Sequence, residues 1–444
     1  LSVARRLVIP GLVLGAIVRA VALPLPGMED FGSWKVWSFA AAHDPTSVYG
    51  VGGSPPERRI LRWRDAALTT DYPPLALDEL GAVGRLYRAV SPTFEDSTLL
   101  TIGLKLPGLL AEIGLVVVLL TWGRRVYGWD LAAAAVLTFW LNPAIVIDGA
   151  ALGFLDAQMA VPAVMSLMAI FAGWPSLAGV LLSAAILTKP HPVFVAPVIV
   201  AALLTRPAAS RAQAAARFLA GSGLATAAIV GPVIVRGAWS NLVQAVGRLA
   251  THDMVSAQAA NVWWLLTYVL RVLDVWREWG PREALDQRLR ILGISRVIAL
   301  GYPSPRAVGL ILVGLAIVWA MWRMRRARSL AEGAVLAGWT AWAYAMLAAQ
   351  VHENHLYLAV PFLALAAGLD RRYSPVCWTV SLIATLNLYL FEGLGMGWPP
   401  LVDRTWTFID ASVLLAVVNV GAFVWFTLPT RTSLFSGPPG TPSA

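Results

Sequence analysis

Cysteine is almost absent. The 444 residues hold one, Cys377, inside an apolar run, so no disulfide or thiolate metal site can form within one chain. Charge is scarce as well: 13% of residues are Asp, Glu, Lys or Arg and 58% are hydrophobic, with a mean hydropathy of +0.68. That balance excludes disorder and argues against a soluble globular enzyme. The formal net charge is +9, yet the basic residues scatter over loops instead of forming one stripe, so nucleic acid is not an expected partner. Positive loops that set orientation and meet anionic lipid account for the excess. There is no visible internal repeat, the usual mark of a transporter.

What the chain does have is apolar runs of about 15 to 23 residues along its whole length, which predicts an all-α polytopic membrane protein. The expected architecture is about twelve transmembrane helices, over 7–25, 99–121, 130–147, 156–172, 176–188, 192–205, 216–236, 306–323, 331–350, 355–369, 375–391 and 406–428. Arg5-Arg6 ahead of the first run imitates a signal peptide, but Arg19 interrupts the run and Ala22-Leu23-Pro24 makes a poor cleavage site. An uncleaved first span is expected. If the spans alternate, Arg5-Arg6, Arg124-Arg125, Arg206 with Arg211, Arg323 through Arg328, and Arg371-Arg372 share one side, the cytoplasm, with both termini.

Residues 1–429 then form one integral-membrane domain with two long extracytoplasmic loops, 26–98 and 237–305, followed by a Pro/Gly/Ser-rich tail, 430–444, expected to be disordered in the cytoplasm. The second loop reads as short amphipathic helices, one starting at Asn261-Val262-Trp263-Trp264, with a charged stretch over 282–290. All five histidines (His43, His191, His252, His352, His355) and most acids fall at or near the outer face.

The first loop is too long to be a mere linker and carries paired acids. Glu29 and Asp30 follow the first span at once, where a carboxylate at a helix end suits a general base or, more plainly, sits solvated at the interface. Trp34 and Trp37 follow as interface anchors or as a wall for a sugar ring. In Asp71-Tyr72-Pro73-Pro74 the prolines forbid helix and extend Tyr72, which makes a stiff corner that fixes Asp71.

Lys105 and Glu112, seven apart, share a face of the second span, as a compensating pair or beside a polar cavity. Asp148 and Asp156 frame a connection, and in Lys189-Pro190-His191-Pro192 a cation could meet a phosphate. The densest cluster is Gln350-Val351-His352-Glu353-Asn354-His355. Its histidines do not have the i,i+4 spacing of a zinc helix, so polar-ligand binding without a metal or cofactor is expected. Arg248 is a further candidate phosphate clamp or a solvated charge.

Several of these segments, in this order, resemble the membrane glycosyltransferases of the GT-C fold. Within them the chain is most similar to the dolichyl-phosphate-glucose-dependent glucosyltransferases of N-glycan assembly and their prokaryotic relatives. The resemblance rests on Asp30 after the first span, Asp71-Tyr72-Pro73-Pro74, Asn142 to Gly149 with Asp148, Lys189-Pro190, Arg248-Leu249 followed by Ala260-Asn261-Val262-Trp263, and Gln350-Val351-His352-Glu353. It implies inverting transfer of one hexose from a polyprenyl-phosphate sugar, with Asp30 as base and Glu29 and Asp71 as the competing candidates. Lys189, Arg248, His352, Glu353 and His355, with Asp148, Asn261 and Tyr72, would bind the donor's phosphate and sugar. The acceptor would be a glycan or glycolipid hydroxyl, and the enzyme a monomer in contact with membrane lipid in a prokaryotic plasma membrane, active on its extracytoplasmic face. The chain departs from the family at Asn354, where a lysine stands in the eukaryotic members, and at Leu155 before Asp156. Alternatives are a glycan ligase of similar topology using a pyrophosphate lipid donor, a lipid or solute transporter, and an inactive scaffold.

Overall fold

A computed structural model describes residues 3–205, 207–249, 251–276, 292–395 and 411–428. The charged stretch 282–290 and the expected disordered tail 430–444 lie outside the described residues. The described chain is helical apart from one small hairpin, Leu61–Trp63 paired antiparallel with Ala66–Leu68.

Four helices are long and apolar enough to cross a membrane: Thr98–Tyr127, Ala208–Val235, Pro305–Met324 and Arg371–Glu392. Trp129–Trp140 and Pro143–Leu152 make a fifth if the pair is one span, bent by 47°. The protein is therefore an integral membrane protein, but the expected twelve spans are not met among the described residues. Length is the reason. Asp156–Ala172, Pro175–Thr188, Ala196–Thr205, Val262–Leu273, His355–Leu369 and Ala411–Thr427 have at most 17 residues. At about 1.5 Å per residue they fall short of a hydrocarbon core roughly 30 Å thick. The first helix, Val3–Ala22, is long enough but carries Arg5, Arg6 and Arg19.

Local sequence explains the breaks. Asn142 Oδ1 accepts from the Ala144 amide at 3.1 Å and Pro143 occupies the first helical position, so a new helix starts at the bend. Pro190 and Pro192 end Pro175–Thr188 and force a short 3-10 turn, His191–Phe194. Ser97 and Ser329 cap Thr98–Val118 and Leu330–Leu347 through the amides of Leu100 and Glu332, each at 3.2 Å.

The polar residues inside the bundle pair differently from what their spacing implies. Glu112 pairs with Arg19, Oε2 to Nε at 2.7 Å with both buried, and the guanidinium lies 3.7 Å from the Trp140 ring centroid. Lys105 has no carboxylate partner among the described residues. Its ammonium donates to four carbonyls: Leu23 at 3.2 Å, Leu25 at 2.7 Å, Ala150 at 3.1 Å and Ala151 at 2.7 Å. Lys105 and Glu112 are thus not a mutual pair.

Residues 26–98 fold as a compact unit. Helix Phe31–Ala41 packs on Pro74–Val90, and Trp34, Trp37, Tyr49, Trp63, Leu77, Leu80 and Phe94 form its apolar core. Elsewhere Pro175–Thr188 and Ala208–Val235 cross so closely that a Cβ on Gly221 would lie 2.0 Å from the Ser176 carbonyl oxygen. This contact sets Ala208–Val235 as one wall of the cavity described next.

Candidate functional site

One cavity of about 1570 Å³ lies between the 26–98 unit, the Ala208–Val235 wall and the turn before residue 355. Asp30 and Asp71 both line it. Asp30 is the N-cap of Phe31–Ala41, yet its carboxylate makes no capping hydrogen bond and stays exposed. The chain is anchored just before it, where the Met28 amide donates to the Leu152 carbonyl at 2.9 Å. Glu29 is held by its backbone, its amide donating to Glu392 Oε2 at 3.0 Å, and it is not among the cavity-lining residues.

Asp71 owes its position to the proline corner. Pro73 is extended, Pro74 starts the next helix, and the Tyr49 hydroxyl donates to the Tyr72 carbonyl at 2.6 Å. Tyr72 meets Trp34 edge-on at 5.0 Å and Trp37 at 5.3 Å, so the three rings form an aromatic wall beside both acids. Burial holds the Asp71 carboxyl above its ordinary value, helped by the nearby Asp30 charge. Its own backbone amide, Arg248 and His252 pull the other way without cancelling the effect.

The polar floor is built around Asp156. Lys189 Nζ lies 2.5 Å from Asp156 Oδ1 and Asn354 Nδ2 donates to Oδ2 at 2.7 Å, all three groups being buried. Beside this floor run four histidines: His252 and His352 at 6.4 Å between ring centroids, His352 and His355 at 5.2 Å, His355 and His191 at 3.8 Å. His355 Nδ1 is occupied, lying 3.1 Å from the Tyr344 hydroxyl and accepting from the His352 amide at 3.3 Å. Glu353 lines the cavity from an almost buried position. Among the described residues, no group of three or more His, Cys, Asp or Glu side chains could hold a metal ion.

The expected site residues therefore divide. Asp30, Asp71, Tyr72, Lys189, His352, Glu353 and His355 share the cavity. Glu29, Arg248, Asn261 and Asp148 are not among its lining residues. Arg248 donates through Nη2 to the Thr70 carbonyl, which braces the corner ahead of Asp71. Asn261 is a helix cap, Oδ1 accepting the amides of Trp263 and Trp264 at 3.0 Å each. Asp148 is fully buried close to Asp156.

Sequence reasoning missed Asp156's role as partner of Lys189 and did not single out His252, Tyr344 or Arg306 as cavity residues, while His191, named in the turn after Lys189, lines the cavity too. Arg306 carried a signal: it begins a span at the end opposite to the arginine clusters, against the usual charge arrangement.

No protein-family model matches the chain, and no curated protein matches it either. Among solved structures it is similar to the crystal structure of the Archaeoglobus fulgidus oligosaccharyltransferase, tethered with an acceptor peptide containing the NVT sequon via a disulfide bond. The TM-score is 0.43 at 13% identity, and the match covers 94% of this chain and 54% of that one. The chain spans about half the length of that enzyme.

Proposed function

We propose that this protein is a GT-C-like membrane glycosyltransferase that moves a single hexose from a polyprenyl-phosphate sugar to a hydroxyl of a lipid-linked or envelope glycan, with inversion. The observation that carries the reading is one cavity with two characters. Its floor holds two aspartates, an aromatic wall, histidines and cations, while its flank is apolar, lined by Leu219, Ile234 and Leu310, which also reach the protein surface. A donor with a charged headgroup and a hydrocarbon tail needs that combination.

In the proposed step Asp30, whose carboxylate is free of capping bonds, takes the proton of the acceptor hydroxyl. The hydroxyl oxygen forms a bond to the anomeric carbon from the face opposite the leaving group. The bond from that carbon to the phosphate oxygen breaks, and its electron pair leaves with the lipid phosphate. Asp71 flanks the base, and the Trp34–Trp37–Tyr72 wall is placed to stack on the sugar. The proposed cavity opening is extracytoplasmic, away from the arginine-rich connections.

A second reading, a glycan ligase with a pyrophosphate lipid donor, is favoured by the cavity's volume, which exceeds the roughly 300–1,000 Å³ of ordinary small-ligand pockets. One experiment separates the two. Purified protein in detergent is given a panel of short polyprenyl-phosphate hexoses and a polyprenyl-diphosphate glycan, with a membrane extract supplying acceptors, and the released lipid is read by mass spectrometry. Release of polyprenyl monophosphate supports the first reading; release only of the diphosphate supports the second, and release of neither overturns both.

A further inference from the structure

Two cations, Lys189 and Arg248, were expected to meet the donor's phosphate, and the structure engages both internally. Lys189 is buried against Asp156 at 2.5 Å, and the Arg248 guanidinium is bonded to the Thr70 carbonyl. An arginine that the sequence reading did not single out has a different setting. Arg306, at the start of Pro305–Met324, lines the cavity. Its Nε donates to Gln350 Oε1 at 3.1 Å and its Nη2 to the His252 carbonyl at 3.2 Å, while Nη1 has no hydrogen bond among the described residues. Gln350 Nε2 donates to the same His252 carbonyl, so guanidinium, amide and carbonyl lock one another.

The backbone around this cluster is held out of its ordinary range. Gln350 has φ +66° and Gln258 has φ +64°, both non-glycine residues in the left-handed region. Such a conformation is strained and persists only where the surroundings impose it. Here the imposition is visible: the Gln350 amide donates to the Val255 carbonyl at 3.0 Å and the Ala257 amide to the Val351 carbonyl at 2.9 Å. Two segments far apart in sequence are cross-linked so that Gln350 faces Arg306. Both His252 and His352, whose rings face each other at 6.4 Å, line the same part of the cavity.

We infer that Arg306, oriented by Gln350 and flanked by His252 and His352, forms the anion subsite that receives the lipid phosphate. This rests on the lipid-phosphate donor proposed above. A guanidinium held by two of its nitrogens presents the third in a fixed direction, which suits a phosphate oxygen and lowers the entropy lost on binding. Arg306 acts on the phosphate; Gln350 is a positioning residue that acts through it.

The test measures thermal stabilisation of the purified full chain in detergent by a short polyprenyl phosphate, by the matching uncharged polyprenol and by inorganic phosphate. Wild type is expected to bind the polyprenyl phosphate more tightly than the polyprenol. Arg306→Gln is expected to lose roughly tenfold or more in apparent affinity for the phosphate lipid with unchanged affinity for the polyprenol. Arg306→Lys should recover part of the loss, and Gln350→Ala should show a smaller loss, which a purely structural arginine would not produce. Equal phosphate-lipid binding by wild type and Arg306→Gln overturns the subsite. A wild type that does not distinguish phosphate lipid from polyprenol overturns instead the donor class on which it rests. An Arg306-dependent response to inorganic phosphate with no gain from the lipid keeps the anion site but rejects the lipid source.

Discussion

Lys189 and Asp156 form a buried ion pair, Nζ to Oδ1 at 2.5 Å, with Asn354 satisfying the other carboxylate oxygen at 2.7 Å. Lys189 is the C-cap of Pro175–Thr188, just before Pro190, and Asp156 opens a helix, so the pair ties the cavity floor to the helical bundle. Removing one partner strands a charge where water cannot reach it. Lys189→Met or Asp156→Leu alone is expected to cost about 3–5 kcal/mol, whereas the double replacement recovers most of it. Thermal or denaturant midpoints of the three variants check this. If the single variants are as stable as wild type, the pair does not hold the floor.

Asp30 stands in a different position, since nothing caps its carboxylate. Asp30→Asn keeps shape and removes basicity, so transfer should fall about 10²- to 10⁴-fold while the donor still binds. Full turnover by Asp30→Asn would sink its assignment as base. The same substitution at Glu29, whose side chain lies off the cavity lining, should leave turnover within a few-fold of wild type.

Asp71 gives a pH signature with two opposite signs. Burial raises its carboxyl above the ordinary value of about 4. The folded protein therefore binds this proton more tightly than the unfolded chain does. The Asp71 contribution to stability is greatest below the unfolded value and is lost as pH rises through the folded one. Activity runs the other way, because the ionised form is the useful one: kcat/KM should fall as pH drops through the raised value. Asp71→Asn should remove that limb from the rate profile and the matching stability change. A rate profile unchanged in Asp71→Asn would show that another group sets the limb.

Metal dependence separates the two proposed readings further. His355 Nδ1 is already taken by Tyr344 and the His352 amide, and the described residues assemble no metal-binding group. Transfer is expected to survive a chelator. Loss in EDTA that manganese restores would count against the hexosyltransferase and toward a metal-using ligase.

Much of the cavity was legible in the sequence for identifiable reasons. Asp71 and Tyr72 stood out because two prolines dictate their backbone, and His352 to His355 because polar residues interrupt two apolar runs. Partner choice was not legible. Glu112 shares a helix face with Lys105, but Arg19, 93 residues away in sequence, reaches it first. Asn261 entered as a donor contact through the family resemblance, whereas its side chain is spent on capping the helix that follows it. Twelve spans are not confirmed among the described residues, because a hydropathy run does not record the 47° bend after Trp140 or the shortness of Pro175–Thr188.

Lys105 also sets an order of assembly. Two of its acceptors, Leu23 and Leu25, precede it in the chain and exist before it is synthesised; the other two, Ala150 and Ala151, follow it. Until the later segment arrives, the ammonium has only half of its final acceptors in a medium where unsatisfied charge is costly. One ammonium thus ties the end of the first helix to the bent helix pair, and neither can shift without leaving that charge short of acceptors.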